Sequence, residues 1–364
     1  MQIGCTKKIF DEISITPSES LEENDLFCWS ANILTISRRK AIVVVNDSNR
    51  FGFVLYGLKA KDFNRLGELI IDGIRRCLKD ENMKEEIIDK YLSESKDLVF
   101  SKTRGRISVA RLNKACERVE LFDDRLEISG LYQTDLSRTM NSDLFKPSKD
   151  VDYMHPYELF IQDFERLYGE KIIESEAADL LIKLDLGAYF ASRRLLVPMN
   201  ITFKELHEII QVAFDWQDRH LHDFNLFDEK GNFILNIISE FEEVFEPRQD
   251  CLMLLDKEVP IDEYVRNRNK IVYNYDYGDN WIHEISVQGM VSDYDKNYPI
   301  CIMAEGKRPP EDVGGIPGYE EYLEIMNNPD HPQYKNMKSW TASQWYRDFD
   351  IDIANRRLKH LLRK

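Results

Sequence analysis

Two patterns of apolar residues alternate along this chain, and together they restrict its fold class. Short runs rich in β-branched and aromatic residues occupy 33–36, 41–45 and 51–56, and the polar segment 46–49 has the composition of a hairpin turn. Within 63–78 apolar residues recur every three to four positions, which is the spacing of one helix face. Strands followed by an amphipathic helix predict an α+β unit.

The second half of the chain contains a similar mixture of elements. Thr202 and Glu205 have the spacing of a capping box, and the helix that they begin carries His207 on its apolar face as a predicted core histidine. The other predicted helices cover 85–92, 109–119, 156–167, 319–326, 342–349 and 353–362, and the other strands 180–186, 194–197, 222–227, 233–237, 271–277 and 282–287. We therefore predict an α+β fold of two small units, each with a mostly antiparallel or mixed sheet and packed helices.

The distribution of charge supports the division into two units. The chain has 49 basic and 65 acidic residues, a net charge of -16. Residues 1–150 contain 25 of each, so the remaining residues carry the whole net charge. We predict a first domain over 1–122, a polar linker over 123–152 and a second domain over 153–364. An acidic second domain argues against phosphate binding by that part of the chain.

Apolar run length and cysteine spacing indicate the compartment. No apolar run reaches the roughly 18 residues that a membrane helix needs, so no membrane span is expected. The six cysteines stand singly at positions 5, 28, 77, 116, 251 and 301, without the paired spacing of a cysteine zinc site. Reduced, mostly buried thiols and a cytoplasmic location are therefore expected.

Two histidines in the segment HLHDF could bind a metal ion. On a strand, His220 and His222 would project from one face about 7 Å apart at the backbone. Two imidazoles in this arrangement can bind one divalent cation, with zinc, manganese and iron as candidates. A pair of half-exposed polar residues on a strand is the alternative interpretation.

The aromatic segment 273–284 predicts a tight hairpin that could add ligands to the histidine pair. Tyr275 and Asp276 precede a turn that contains Asp279, and Trp281 and His283 share one face of the strand that follows. Such a hairpin needs no ligand to explain it. The two carboxylates and the histidine around one turn nevertheless make it a candidate binding segment.

The loop PPEDVGGIPGY, residues 309–319, is a second candidate binding segment. Its prolines restrict the backbone, so that Glu311 and Asp312 are held on a rigid loop. Gly314 and Gly315 permit positive φ angles and a close approach to another group. The loop lacks the Gly-Lys-Ser/Thr ending of a phosphate-binding loop. It is therefore either a binding loop or a shaped connection to the next helix.

Basic residues in the first domain could contact phosphate groups. They form two clusters, which comprise Arg38, Arg39 and Lys40, and then Lys102, Arg104 and Arg106. A solvated surface is the alternative interpretation, because this part of the chain has no net positive charge. The sequence contains no GxSxG or HExxH pattern that would indicate a serine nucleophile or a zinc protease site.

The order of several segments resembles a known family. LLIKLDL, RRLLVP and FKELHEIIQVAFDWQDRHLHDF are followed by YNYDYGDNWIHEI, EGKRPPEDVGGIPGY and FDIDIANRRL. This series, over about residues 155–360, resembles the plasmid pRiA4b ORF-3-like family. The segments CTKK, SANILTISRRKAIVVVNDSNR and LVFSKTRGRISVARLNKACE resemble a short domain of unknown function that can precede it. The resemblance implies an α+β fold, an association with plasmids and mobile elements, and no established activity.

Three functional hypotheses follow from the sequence. The favoured one is a non-catalytic protein-interaction or accessory module with a protein partner, because the second domain is acidic and no complete catalytic constellation is present. The alternative is a metal-dependent hydrolase with His220, His222 and His283 as ligands, in which one carboxylate acts as an additional ligand or general base, with Asp279, Glu311 and Asp312 as the candidates. The second alternative is nucleic-acid binding through the first domain, which would weaken steeply with salt.

Overall fold

The chain folds as two α+β units, which confirms the predicted fold class. The computed structural model describes residues 1–19, 22–95, 98–147, 150, 152–239 and 252–363. The first unit comprises Met1–Glu174 and the last two residues of the chain, and the second comprises Ser175–Leu362. Each unit has its own hydrophobic core.

Within the described residues, the first unit is built on one mixed five-stranded sheet. Its strands are β1 (Gln2–Cys5), β2 (Cys28–Ile36), β3 (Arg39–Asn46), β4 (Gly52–Leu58) and β5 (Val99–Lys102), and they lie in the order β4-β3-β2-β1-β5. β1 is parallel to β2 and β5, whereas β2, β3 and β4 pair antiparallel. β1 and β5 are too short to give a clear signal in the sequence.

Helices cover both faces of this sheet. They are α1 (Lys7–Ile13), α2 (Ala60–Phe63), α3 (Leu66–Asp80), α4 (Glu85–Glu94), α5 (Arg106–Leu121), α6 (Thr134–Asn141) and α7 (Pro156–Tyr168). Ile42 and Val44 of β3 pack in the cluster that contains α3, whereas Val43 and Val45 pack in the cluster that contains α5. Burial on both faces explains why β3 is continuously apolar rather than alternating.

The boundary between the units differs from the sequence prediction, which put a linker at 123–152 and began the second domain at 153. Residues 134–141 of that linker form α6, where Leu136 is fully buried in the first unit. The helix predicted to open the second domain is α7, and its Phe160 stacks on Phe51 with ring centroids 4.0 Å apart. Periodicity identifies a helix, but it does not show which sheet the apolar face packs against.

Within the described residues, the second unit contains one eight-stranded sheet. Its strands are β6 (Ser175–Leu186), β7 (Tyr189–Pro198), β8 (His222–Phe227), β9 (Phe233–Ile238), β10 (Met253–Leu255), β11 (Lys270–Tyr275), β12 (Trp281–Tyr294) and β13 (Ile300–Glu305). The order is β10-β9-β8-β11-β12-β6-β7-β13, and all neighbours are antiparallel except the parallel pair β9 and β10. β8, β11 and β12 are therefore adjacent, which brings their connecting segments together.

The second unit's helices are α8 (Phe203–Phe214), α9 (Asp262–Arg266), α10 (Gly315–Asn327), α11 (Tyr334–Ser343) and α12 (Ile351–Leu361). The predicted capping box is present, because Thr202 Oγ1 accepts a hydrogen bond from the Glu205 amide at 3.3 Å. The helix predicted at 342–349 instead occupies 334–343, where its apolar side chains are only partly buried. None of the helices in the described ranges is both long enough and apolar enough to cross a bilayer.

The described cysteines carry free thiols, as the sequence predicts. Cys5, Cys28, Cys116 and Cys301 are buried, and Cys77 is half-buried. Burial raises the pKa of the Cys5 thiol to about 12 and that of Cys116 to about 11, so both stay protonated at neutral pH. Cys251 lies outside the described residues.

Candidate metal centre

Three segments of the second unit converge at one end of adjacent strands. They are the residues that lead into β8, the turn between β11 and β12, and the loop that precedes α10. Each segment contributes one donor side chain, and the ligand atoms of His220, Asp276 and Glu311 all lie within 4.8 Å of one another. We call these three residues the His220 cluster.

Asp276 is held by the turn in which it lies. Its backbone has a left-handed φ of 59°, and its amide donates a hydrogen bond to the Leu221 carbonyl at 3.0 Å. Its Oδ1 accepts hydrogen bonds from the amides of Gly278 and Asp279. These contacts leave Oδ2 directed at His220, 3.5 Å from Nε2.

Glu311 is the deepest member of the cluster, with no exposed surface. Its Oε1 accepts hydrogen bonds from the Gln217 amide at 2.8 Å and from the Tyr275 hydroxyl at 3.3 Å. Its Oε2 has no hydrogen-bond partner among the described residues and lies 3.7 Å from His220 Nε2. Burial raises the pKa of this carboxyl, although the nearby Arg308 guanidinium opposes the shift.

Three carboxylates surround the imidazole of His220. In addition to the two buried ones, Asp312 Oδ1 lies 3.2 Å from Nε2, on a side chain that is 56% exposed. His220 Nε2 is itself buried, and within the described part of the chain it lacks an aligned hydrogen-bond partner. The ring packs edge-on against Tyr275 with centroids 5.8 Å apart, which limits its rotation.

Direct contacts hold the loop before α10 against the β11–β12 turn. The Gly314 amide donates a hydrogen bond to Asp279 Oδ2 at 3.2 Å. Gly315 has a φ of 66°, and a Cβ atom at this position would lie 3.0 Å from the Asp279 carbonyl oxygen. The glycine pair therefore allows this close approach, which positions the carboxylate of Glu311 near Asp276.

The structure places His222 in a different environment from His220. β8 begins at His222, so His220 lies before the paired strand and the two side chains do not share a strand face. His222 Nε2 lies 3.1 Å from Asp256 Oδ2, and its ring stacks on His207 with centroids 3.5 Å apart. A cavity of about 330 Å³ is lined by this stacked pair and also by His220, but no metal-ligand cluster among the described residues includes His222. The predicted joint binding of one metal by both residues of the HLH segment is therefore not the arrangement in the structure.

His283 also lies outside the cluster. It is fully buried, with Nδ1 3.1 Å from the Trp281 carbonyl and Nε2 accepting from Trp216 Nε1 at 3.4 Å. Burial lowers the pKa of His283 to about 3. Trp281 lies beside it in the core, where its ring stacks on Trp216 with centroids 6.0 Å apart. Both of these candidate residues therefore have core-packing roles.

Several residues that shape the site carried no signal in the sequence. The Gln217 amide and the Arg308 guanidinium both act on Glu311, and Asp256 is the partner of His222. Arg308 is buried between the rings of Trp216 and Tyr346. These partners lie far apart in the chain, and no spacing rule connects them.

By its fold and this cluster, the chain is a two-unit α+β protein with a group of one histidine and two carboxylates in the acidic half of the chain. The profile of the plasmid pRiA4b ORF-3-like protein family matches residues 176–357, and the chain belongs to that family. A domain of unknown function, DUF6933, matches residues 2–159. These two matches bear out both resemblances drawn from the sequence.

Two relatives extend the comparison. The uncharacterized protein y4hQ from Sinorhizobium fredii (strain NBRC 101917 / NGR234) is 30% identical over 176 residues, which is 48% of this chain and 84% of that protein. A second relative is a protein of unknown function, MM3350 from Methanosarcina mazei Go1, whose crystal structure is known. Its sequence is 29% identical to this chain, and its structure matches with a TM-score of 0.41. That match covers 49% of this chain and 94% of the solved chain.

Proposed function

We propose that the second unit binds one divalent metal ion through His220 Nε2 and the carboxylates of Asp276 and Glu311, with Asp312 as a further oxygen ligand. The observation that carries this proposal is that, among the described residues, the buried atoms Glu311 Oε2 and His220 Nε2 have no hydrogen-bond partner and lie 3.7 Å apart. Buried polar atoms are normally paired, because an unpaired one costs about 1–3 kcal/mol. A cation between them would satisfy both.

The distances within the cluster support a single ion. Two ligand atoms bonded to zinc at about 2.0–2.1 Å and at a tetrahedral angle lie about 3.3 Å apart. The separations from His220 Nε2 to the three carboxylates are 3.2, 3.5 and 3.7 Å. These three separations are within about 0.4 Å of that value, and the ligand atoms of Asp276 and Glu311 lie within 4.8 Å of each other.

The chemistry of the ligands narrows the choice of ion. One imidazole nitrogen with two or three carboxylate oxygens suits zinc, manganese or iron, whereas a site selective for copper(I) would need sulfur ligands. The acidic groups lie close together around one imidazole, so their mutual repulsion is relieved by a divalent charge. The net charge of -16 also favours the approach of cations over that of anions.

If the bound ion is catalytic, the activity that we propose for the second unit is that of a metal-dependent hydrolase. In this form His220, Asp276 and Glu311 alone would hold the ion, and the side of the site near the exposed Asp312 would stay open for water. Zinc held by three protein ligands would lower the pKa of a bound water to about 7. The protein-interaction module remains a prediction that these observations leave untested.

Metal content and isothermal titration test the proposal. The full chain is purified without an affinity metal, analysed for bound elements, stripped, and titrated with Zn²⁺, Mn²⁺ and, without oxygen, Fe²⁺. We expect one ion per chain, and a loss of affinity of at least 100-fold in His220→Ala and in Glu311→Gln. His222→Asn is the matched control, because it removes the other histidine of the HLH segment and should retain the site.

Two results would contradict the proposed metal site. If none of the three ions binds the stripped protein, or if His222→Asn loses the ion as fully as His220→Ala does, the proposed ligand set is wrong. Circular dichroism of each variant separates loss of a ligand from loss of the fold. Glu311→Gln is the more informative variant, because the amide can keep the hydrogen bonds to Gln217 and Tyr275 while losing the charge.

A further inference from the structure

A wide groove in the first unit is lined by basic side chains. Its volume is about 630 Å³, and its walls are the β2–β3 turn, the segment that leads from β4 into α2, and the loop around residue 130. Five of its lining residues are basic and one is acidic, namely Arg38, Arg39, Lys40, Lys59 and Lys61, with Asp62. We call this opening the basic groove.

Most of the positive charge in the basic groove is not neutralised by its neighbours. Lys40 pairs with Glu12, and the carboxylate of Asp62 accepts a hydrogen bond from the Lys59 amide at 2.8 Å. Within the described residues, no carboxylate lies within 4.0 Å of the side-chain nitrogens of Arg38, Lys59 or Lys61. A concave surface with uncompensated cations concentrates a positive potential.

The backbone holds these side chains around the groove. Ser37 and Arg38 have left-handed φ angles of 48° and 65°, which make the tight β2–β3 turn that presents Arg38 and Arg39. Arg39 donates a hydrogen bond to the Ile128 carbonyl at 3.0 Å and so joins the turn to the opposite wall. The groove therefore has a preformed shape.

The geometry points to a nucleic-acid strand as the ligand, bound through its phosphodiester backbone in the basic groove. The cations are spread along two separate segments and are mostly exposed, which suits a chain of phosphates rather than one enclosed anion. A membrane surface fits less well, because the cations line a concave wall. This site lies in the first unit and does not depend on the proposed metal ion.

The groove revises the set of basic residues that the sequence indicated for this role. It includes Arg38, Arg39 and Lys40 but is not lined by Lys102, Arg104 or Arg106. Arg104 instead pairs with Asp25 at 2.8 Å. Lys59 and Lys61, which the sequence did not single out, take their place.

Fluorescence anisotropy with labelled 20-nucleotide single-stranded RNA, single-stranded DNA and duplex DNA tests this proposal on the full chain. At most five phosphate contacts predict a slope of log affinity against log salt of about -3.5 for single strands and -4.5 for duplex. Arg38→Gln/Lys61→Gln should lose at least tenfold in affinity at 50 mM salt, and its slope should be smaller by about 1.5. The matched control is Lys102→Gln/Arg106→Gln, which removes two exposed cations of the same unit outside the groove and should bind nearly as wild type.

Three results would overturn the proposal. One is the absence of binding to all three oligonucleotides at 50 mM salt, and another is an equal loss in the control variant. The third is binding to vesicles that contain phosphatidylserine, with the same dependence on Arg38 and Lys61, in place of binding to oligonucleotides. The substituted side chains are exposed, so an unchanged circular dichroism spectrum is expected for both variants.

Discussion

His283 is a titratable residue that the folded protein keeps neutral. Its Nδ1 lies 3.1 Å from the Trp281 carbonyl and its Nε2 3.4 Å from the Trp216 indole nitrogen, so the tautomer protonated at Nδ1 satisfies both contacts. Burial lowers the pKa of His283 to about 3, whereas the unfolded chain takes up the proton near the ordinary value of about 6.5. Below that value the unfolded state therefore binds one proton more than the folded state does.

This difference predicts how stability changes with pH. The contribution of a neutral His283 is fully present above about pH 6.5 and is lost progressively as the pH falls towards 3, by about 1.4 kcal/mol per pH unit. The free energy of unfolding is measured at pH 5 to 7 by urea unfolding, which is followed by tryptophan fluorescence. His283→Asn should be less stable at pH 7, and its deficit relative to wild type should shrink as the pH falls. A deficit that stays constant with pH would contradict this assignment.

At the residue scale, the sequence predicted which side chains are candidates better than it predicted how they are grouped. His220, Asp276 and Glu311 were all singled out, but His220 was paired with His222 by a period-two rule that applies only inside a strand. β8 begins at His222, so the rule fails at the preceding residues. His283 obeys the strand alternation, and for that reason it faces the core.

Among the elements, the segment that enters α10, up to its first residue Gly315, is expected to control the geometry of the cluster. Gly315→Ala introduces a methyl group 3.0 Å from the Asp279 carbonyl at a φ of 66°. The left-handed backbone alone costs about 1–2 kcal/mol for a residue with a Cβ atom. The contact should also push the loop from the turn that carries Asp276. In addition to this loss of stability, we expect the metal affinity of Gly315→Ala to be at least tenfold lower than that of the wild type, measured by calorimetric titration.

Gly231→Ala is the matched control for the loop. Gly231 has a φ of 80°, and its added Cβ would meet nothing within 4 Å. This variant should lose a similar amount of stability from backbone strain and keep the metal affinity of the wild type. Equal metal affinity in the two alanine variants would show that the close approach of Gly315 to Asp279 does not position the ligands.

The elements themselves were predictable wherever a local signal sets them. The capping box at Thr202 marks the start of α8, and the β-branched runs mark β2, β3 and β4. Sheet order and the assignment of α7 to a core were not predictable, because both depend on contacts between distant segments. Phe160 packs on Phe51, more than a hundred residues away, and no periodicity within α7 indicates that partner.

For the whole molecule, the distribution of charge agrees with the two proposals, in which the two units bind ligands of opposite sign. Residues 151–364 carry the entire net charge of -16, and the His220 cluster lies among them. The first 150 residues are neutral overall, yet several of their cations line the basic groove. A cation should therefore stabilise the second unit, and a polyanion should protect the first.

Hydrogen exchange of the full chain, read by mass spectrometry, measures these effects separately. A metal ion at 100 times its Kd stabilises the folded state by about 2.7 kcal/mol. We expect that ion to slow exchange in segments 216–222, 275–281 and 309–315, and to leave 37–40 and 57–62 unchanged. Saturating oligonucleotide should slow exchange in 37–40 and 57–62 instead. The metal site would be contradicted if metal-induced protection were strongest in the groove segments 37–40 and 57–62. It would also be contradicted if the protection persisted in Glu311→Gln, because the ion is expected to protect 216–222, 275–281 and 309–315 only through ligation at the His220 cluster.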